Sequence, residues 1–185
     1  NGIIFGGKAL EPSVAAVTPL IRQVAGHYDM VFNIDLHTGY DANGTMHLFP
    51  NPLKDENKKA KIENIFSGRR IDWGDGDAHY TYTGDFTTYV GDIIPEKYYL
   101  SMVFEFGTMD IQTTMGSIKL LHNVIIENQG VQNGYKSQKD EKEVKSRYLE
   151  GYYPSSEAWR SKAINDVRQT LLQAVKKYQE TDADK

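Results

Sequence analysis

The sequence predicts an α/β protein, and three observations support this fold class. Two short apolar runs, at 30–37 and 100–106, contain many β-branched and aromatic residues, and glycine follows each within two positions. Segments with the 3.6-residue apolar spacing of helices precede and follow these runs. Hydrophobic residues make up 39% of the 185 residues, which is enough to build a core. Helices that alternate with strands are typical of α/β proteins.

The first elements are a helix and a strand. A helix is expected to start at Glu11-Pro12-Ser13, because proline and acidic residues are favoured in the first helical turn. Pro19 lies inside this helical pattern, where it either kinks the helix or marks a later start. The strand at 30–37 then alternates between apolar and polar residues from Phe32 onward. Its polar face carries Asn33, Asp35 and His37.

The middle of the chain contains weaker signals. A short strand is expected at 45–49 and a polar amphipathic helix at 54–66. Residues 68–91 are rich in Gly, Asp, Thr and Tyr and are predicted to be mostly irregular. A long irregular stretch inside a compact domain is more often functional than not.

The second half starts with the strand at 100–106 and continues as helices. A helix is expected at 114–127, and the charged connector at 130–153 contains a shorter one within 139–149. Ser155 or Ser156 is the expected N-cap of the last helix. The predicted buried stripe of that helix consists of Trp159, Ala163, Val167, Leu171, Val175 and Tyr178. Residues 181–185 are expected to form a frayed tail.

The composition excludes several functions. Lys and Arg number 21 against 25 Asp and Glu, a net charge of −4, and there is no basic block, so we expect no nucleic-acid partner. The absence of cysteine excludes disulfides, thiolate metal sites and a cysteine nucleophile. Because no apolar run approaches about 20 residues, we expect no membrane span. Gly-x-Ser-x-Gly and the phosphate-binding loop motif are also absent. Compartment and oligomeric state stay open.

The ends of the two strong strands share one design. The first ends in Asp35-Leu36-His37-Thr38-Gly39, and the second ends in Glu105-Phe106-Gly107-Thr108. In each, an apolar strand has ionisable residues near its end, and a glycine then ends the strand. Ligands of open α/β sheets bind beyond the carboxyl ends of the strands. An imidazole and a carboxylate delivered there suit metal binding combined with acid/base chemistry.

Each of these side chains also has a purely structural interpretation. On spacing alone, His37 is more simply a histidine that satisfies a hydrogen bond at a strand end. Asp35 either orients a metal-binding His37 or serves as a turn carboxylate. Glu105, between Phe104 and Phe106, is costly to bury unless it is paired or functional. It is therefore either a general base or half of a structural ion pair.

The two strand-end motifs together resemble the zinc carboxypeptidase superfamily, in particular its bacterial branch of carboxypeptidase-like proteins of uncharacterised function. Phe5-Gly6-Gly7, before the first helix, matches a Phe/Tyr-Gly-Gly segment of that branch. The resemblance implies a three-layer α/β/α domain with a mixed sheet, of the phosphorylase/hydrolase-like type. Residues 1–180 would form the C-terminal portion of a single catalytic domain.

The resemblance also implies roles for individual residues. His37 matches the later histidine that binds Zn²⁺, and Glu105 matches the general base. A tyrosine between them often contacts substrate in that superfamily, and Tyr80, Tyr82 and Tyr89 are candidates, with Tyr82 and Tyr89 favoured by position. The implied function is zinc-dependent hydrolysis of peptide or acyl-amino-acid amide bonds.

One departure from the superfamily is large. The His-x-x-Glu motif that supplies the first two zinc ligands is absent from the sequence, and so is the Asn-Arg segment that binds the substrate carboxylate. We therefore expect the chain to need an N-terminal half of the same domain, and to be inactive as a fragment. The alternative is a metal-free binding module on the same scaffold.

Overall fold

A computed structural model describes residues 8–51, 53–74 and 84–183. Helices and strands alternate along these residues, which confirms the predicted α/β class, and the three strands form a mixed sheet. The elements are α1 (Pro12–Ala25), β1 (Met30–Gly39), β2 (Met46–Phe49), α2 (Glu56–Ile65), α3 (Phe86–Ile93), β3 (Tyr98–Gly107), α4 (Thr114–Asn133), α5 (Gln138–Glu150) and α6 (Glu157–Ala183).

Strand β3 lies in the middle of the sheet, whose order is β1-β3-β2. Leu100, Met102 and Phe104 of β3 have no measurable exposure, which explains why this run is the most apolar strand of the sequence. β1 and β2 follow each other in the chain, yet both have β3 as their neighbour. The carboxyl end of β1 therefore pairs with β3, the strand that carries Glu105.

The chain forms two compact units. The first contains residues 1–35 and 48–103, and the second contains residues 36–47 and 104–185. In the first unit, Ala25, Val90 and Ile94 form an apolar cluster. In the second unit, the rings of Phe106 and Trp159 pack edge to face, 6.2 Å apart. The carboxyl ends of β1 and β3 belong to the second unit. A single domain over residues 1–180 stays a prediction.

Side-chain caps define where most helices start. The carboxylates of Asp55 and Asp85 accept backbone N–H groups at the starts of α2 and α3, and the hydroxyls of Thr113 and Ser137 do so for α4 and α5. At α6, the hydroxyl of Ser156 accepts the N–H of Trp159 at 3.3 Å. Of the two serines expected there, Ser156 therefore is the cap.

Several expected boundaries were wrong. Residues 86–91, predicted to be irregular, belong to α3. This helix is short and contains two threonines and a glycine, which have low helix propensity, so the sequence gives only a weak helical signal. Helix α4 continues to Asn133 instead of ending at 127. On α6, five residues of the expected stripe are partly buried, namely Trp159, Ala163, Val167, Leu171 and Tyr178. The sixth, Val175, is 55% exposed, and the neighbouring Thr170 and Ala174 are buried in its place. Helix α6 ends at Ala183, inside the expected tail, and residues 184–185 lie outside the described chain.

Candidate active site

His37 and Glu105 come together at the ends of β1 and β3. His37 Nδ1 lies 3.6 Å from Glu105 Oε2, an ion pair when the imidazole is protonated. The His37 side chain is 47% exposed, while that of Glu105 is 12% exposed. The carboxylate is thus largely withdrawn from solvent, and the imidazole beside it stays accessible. The two strand ends therefore deliver to one place the two side chains that the sequence singled out.

A backbone hydrogen bond fixes one oxygen of the Glu105 carboxylate. Oε1 accepts the N–H of Tyr40 at 3.0 Å, which leaves Oε2 as the oxygen on the side of His37. Gly39 lies next to this carboxylate, with a φ of 145° that residues with a side chain rarely adopt. The glycine that ends β1 is therefore part of the geometry around the carboxylate.

The loops after β1 and β3 contain strained backbone. Among the described residues, three non-glycine residues have positive φ, namely Asp41 at 99° and Met109 and Asp110 at 53° each. Asp41 lies in the loop after β1, and the other two follow β3. A hydrogen bond of 2.8 Å from Asn43 N to Asp110 Oδ1 joins the loops. Such conformations cost of the order of 1 kcal/mol or more each and cluster at functional sites.

A buried histidine lies next to this loop: His47, within the strand expected at 45–49, for which the sequence indicated no role. His47 is 6% exposed in β2, and its Nδ1 lies 3.1 Å from Asp41 Oδ2. The ring of Tyr40 stacks on it, with centroids 6.3 Å apart. Its apolar neighbours Met46, Leu48 and Phe49 were the signal that it belongs to a strand. His47 and Asp41 therefore lie next to Tyr40, whose backbone N–H donates to Glu105.

The turn after Glu105 is closely packed. A Cβ on Gly107 would collide with the carbonyl of Ala42, so only glycine fits. The carbonyl of Gly107 accepts the indole N–H of Trp159 at 3.0 Å. The sequence predicted Trp159 as a packing residue, and the structure adds this hydrogen bond to the end of β3.

The other predicted site residues are placed as follows. Asp35 lies in the first unit and is partly buried. Burial raises the pKa of Tyr99, and the charge of Asp35 adds a smaller contribution. Tyr89 is in α3, and its hydroxyl lies 2.7 Å from the hydroxyl of Thr18. Tyr80, Tyr82 and the segment Phe5-Gly6-Gly7 lie outside the described residues. The roles predicted for Asp35, Tyr82 and Tyr89 stay predictions.

The residue types at the strand ends are suitable for zinc. Imidazole nitrogen and carboxylate oxygen are both common zinc ligands, and a catalytic zinc takes three protein ligands. Within residues 8–51, 53–74 and 84–183, no group of three or more His, Asp and Glu side chains is arranged to hold a metal ion. In the same part of the chain, no helix combines the length and apolar character that crossing a membrane requires.

The fold and these strand ends define an α/β protein with a histidine–glutamate pair beyond the carboxyl ends of two neighbouring strands. The chain belongs to the family described as Protein of unknown function (DUF2817), whose model matches residues 1–166. No curated protein and no solved structure matches the chain.

Proposed function

We propose that this chain contributes to a zinc-dependent hydrolase of peptide or acyl-amino-acid amide bonds, similar to the zinc carboxypeptidases. The observation that carries this proposal is the 3.6 Å approach of His37 and Glu105. The sequence motifs around both residues resemble that superfamily, and the pair lies where α/β proteins bind ligands. In this proposal His37 is a zinc ligand and Glu105 is the general base.

The surroundings of Glu105 suit a base. Its carboxylate is largely withdrawn from water and lies beside the imidazole of His37. The Tyr40 N–H holds Oε1, so Oε2 is the oxygen that takes a proton from the attacking water. The same oxygen then returns the proton to the leaving amine. A fixed carboxylate performs both transfers without a change of rotamer.

The surroundings of His37 suit a metal ligand that a solvent ion can reach. The imidazole is half exposed at the end of a strand, and its neighbour Glu105 is a carboxylate that favours positive charge nearby. Bound zinc would supply a Lewis acid that polarises the scissile carbonyl. The further ligands would come from a His-x-x-Glu segment, which this sequence does not contain. We propose that an N-terminal half of the same domain provides it.

Metal content and hydrolysis of the complete gene product test this proposal. The unaltered protein is expected to carry about one zinc per chain, and His37→Ala is expected to lose it, as measured by elemental analysis after dialysis. Hydrolysis of a panel of peptides and N-acyl amino acids should require the metal and stop with a chelator. The substitution Lys119→Ala, at an exposed position on α4, is the control and should change neither zinc content nor hydrolysis.

One outcome would contradict the hydrolase, and another the role of His37. A complete gene product without zinc, tested after incubation with the metal, would support the metal-free binding module. Zinc that stays at full occupancy in His37→Ala would remove His37 from the site. The 185-residue chain alone, which lacks His-x-x-Glu, is expected to be inactive in the same assays.

A further inference from the structure

One turn of the chain accepts hydrogen bonds from both strand ends that carry the proposed site. This α5–α6 turn comprises residues 151–156, between the two helices. The hydroxyl of Thr108 donates to the carbonyl of Gly151 at 2.6 Å. The hydroxyl of Thr38 donates to the carbonyl of Tyr152, also at 2.6 Å. Two consecutive carbonyls thus bind one side chain from the end of β1 and one from the end of β3.

Thr108 is the more deeply placed of the two threonines. It has no measurable exposure, and its backbone N–H donates to the carbonyl of Gly39 at 3.0 Å. It therefore connects the residue that ends β1 with the α5–α6 turn. A buried hydroxyl that donates in this way is specific, because valine has the same shape but cannot donate.

The α5–α6 turn is itself anchored on the helices around it. Gly151 is buried against Leu120 of α4, where a Cβ would approach the leucine methyl to 2.5 Å. The side chain of Asn123 donates to the carbonyl of Arg147 at 3.1 Å, close to the end of α5. The guanidinium of Arg160 donates to the carbonyl of Pro154 at 2.8 Å. The turn is therefore held by the helices around it as well as by the strand ends.

Both threonines belong to the motifs that carry the proposed site. Thr38 directly follows His37, and Thr108 stands at the end of Glu105-Phe106-Gly107-Thr108. We propose that Thr38 and Thr108 are positioning residues, and that through them the α5–α6 turn sets the separation of His37 and Glu105. Misplacement of a reacting group by about 1 Å can cost a hundredfold in rate, so such support matters for catalysis.

Amide hydrogen exchange tests the positioning without any assumption about activity. In the complete gene product, Thr108→Val should make the Tyr40 amide, which donates to Glu105, exchange about tenfold faster. Thr38→Val should act in the same direction, while amides in the middle of α4 keep their rates. Thr114→Val, at an exposed position on α4, is the matched control, and Thr108→Ser should restore the slow exchange.

Two exchange results would overturn the proposal. If the Tyr40 amide exchanges no faster in Thr108→Val than in Thr114→Val, the turn does not position the carboxylate. If all protected amides accelerate equally, the threonines contribute only to global stability.

Kinetics test the catalytic consequence, which rests on the proposed function. Thr108→Val should lower kcat about tenfold with little change in KM, because the bond positions the reacting carboxylate and not the substrate. Thr108→Ser should recover most of the rate. Equal kcat in the valine variant and the unaltered protein would overturn the positioning role. If the unaltered protein shows no metal-dependent hydrolysis, the proposed function fails, and the exchange rates alone decide whether the turn positions Glu105.

Discussion

Two sets of polar side chains, one in each unit, differ in the distances between their members and in their exposure. In the first unit, the hydroxyl of Tyr99 accepts from the Asn33 amide at 3.0 Å and donates to the Thr87 carbonyl at 2.6 Å. Thr87 is buried, and its hydroxyl lies 2.6 Å from Asn51 Oδ1. Every distance in this set is that of a full hydrogen bond. A set with its partners already in place stabilises the fold.

In the second unit, the side chains at the strand ends lie farther apart than those of the Tyr99 set. His37 and Glu105 approach to 3.6 Å, beyond normal hydrogen-bond length, and the imidazole is half exposed. The loops around them contain the strained residues Asp41, Met109 and Asp110. The comparison shows that burial of polar groups alone does not indicate a site. Separation, exposure and strained backbone together distinguish the strand ends from the Tyr99 set.

Glu105→Gln should give the largest effect, and it tests directly whether the strand ends differ in function from the Tyr99 set. The glutamine still accepts the Tyr40 N–H but cannot take a proton, so hydrolysis by the complete gene product should fall by about 10²–10⁴-fold. Zinc content should be unchanged, and the free energy of unfolding should change by less than about 1 kcal/mol. Tyr99→Phe is the matched control and should leave hydrolysis intact. Equal activity of Glu105→Gln and the unaltered protein would exclude Glu105 as the base.

Trp159→Ala should give the next largest effect, on stability. It removes the ring that packs on Phe106 and the donor to the Gly107 carbonyl, and should lower the free energy of unfolding by about 3 kcal/mol. Trp159→Phe keeps a ring and loses the donor, so we expect a loss of about 1 kcal/mol. Urea unfolding of both variants measures the difference. Identical losses would mean that the indole N–H carries the whole contribution.

Tyr99→Phe should cost about 1–2 kcal/mol of unfolding free energy, because the Asn33 amide and the Thr87 carbonyl lose their partner. Chemical denaturation at neutral pH measures this loss. A neutral or stabilising effect would show that the Tyr99 set is not a closed structural network, and the contrast with the strand ends would weaken.

The dependence of stability on alkaline pH also tests the structural role of Tyr99. Burial raises the pKa of Tyr99 to about 12, hydrogen bonds with Asn33 and Ser101 oppose the shift, and the charges of Asp85 and Asp35 add to it. The unfolded chain ionises this phenol near its ordinary value of 10.0 and the folded protein does so near 12. Its contribution to stability is therefore complete below pH 10 and is lost as the pH rises through 12. Stability curves of the unaltered protein and Tyr99→Phe should converge in this window.

Asp85→Ala should give the smallest effect, about 1 kcal/mol, by removing the cap of α3. Burial by itself would raise the pKa of Asp85, but hydrogen bonds from Thr88 and Thr87 outweigh it and lower the pKa below 3.8. The contribution is thus present above the ordinary pKa and is lost as the pH falls through the lowered value. Asp85→Asn should keep the cap and lose this acid dependence, as thermal unfolding at pH 2 to 6 would show.

The sequence by itself determined the α/β class, the two strong strands and the motifs that end them. These features are local, because the alternation of side chains along a strand and the glycines that stop it are visible in a few consecutive residues. The same locality explains the burial of Glu105, since it stands between Phe104 and Phe106 in a run that is mostly apolar.

Only the tertiary structure decided which side chains meet. The order β1-β3-β2 brings β3 next to β1, and so Glu105 next to His37, although local periodicity carries no information about strand pairing. The burial of His47 beside Asp41, and the hydrogen bonds from Thr38 and Thr108 to one distant turn, depend on the same kind of contact. The physical reason is that such contacts join residues far apart in the chain, so their geometry exists only once the whole unit has folded.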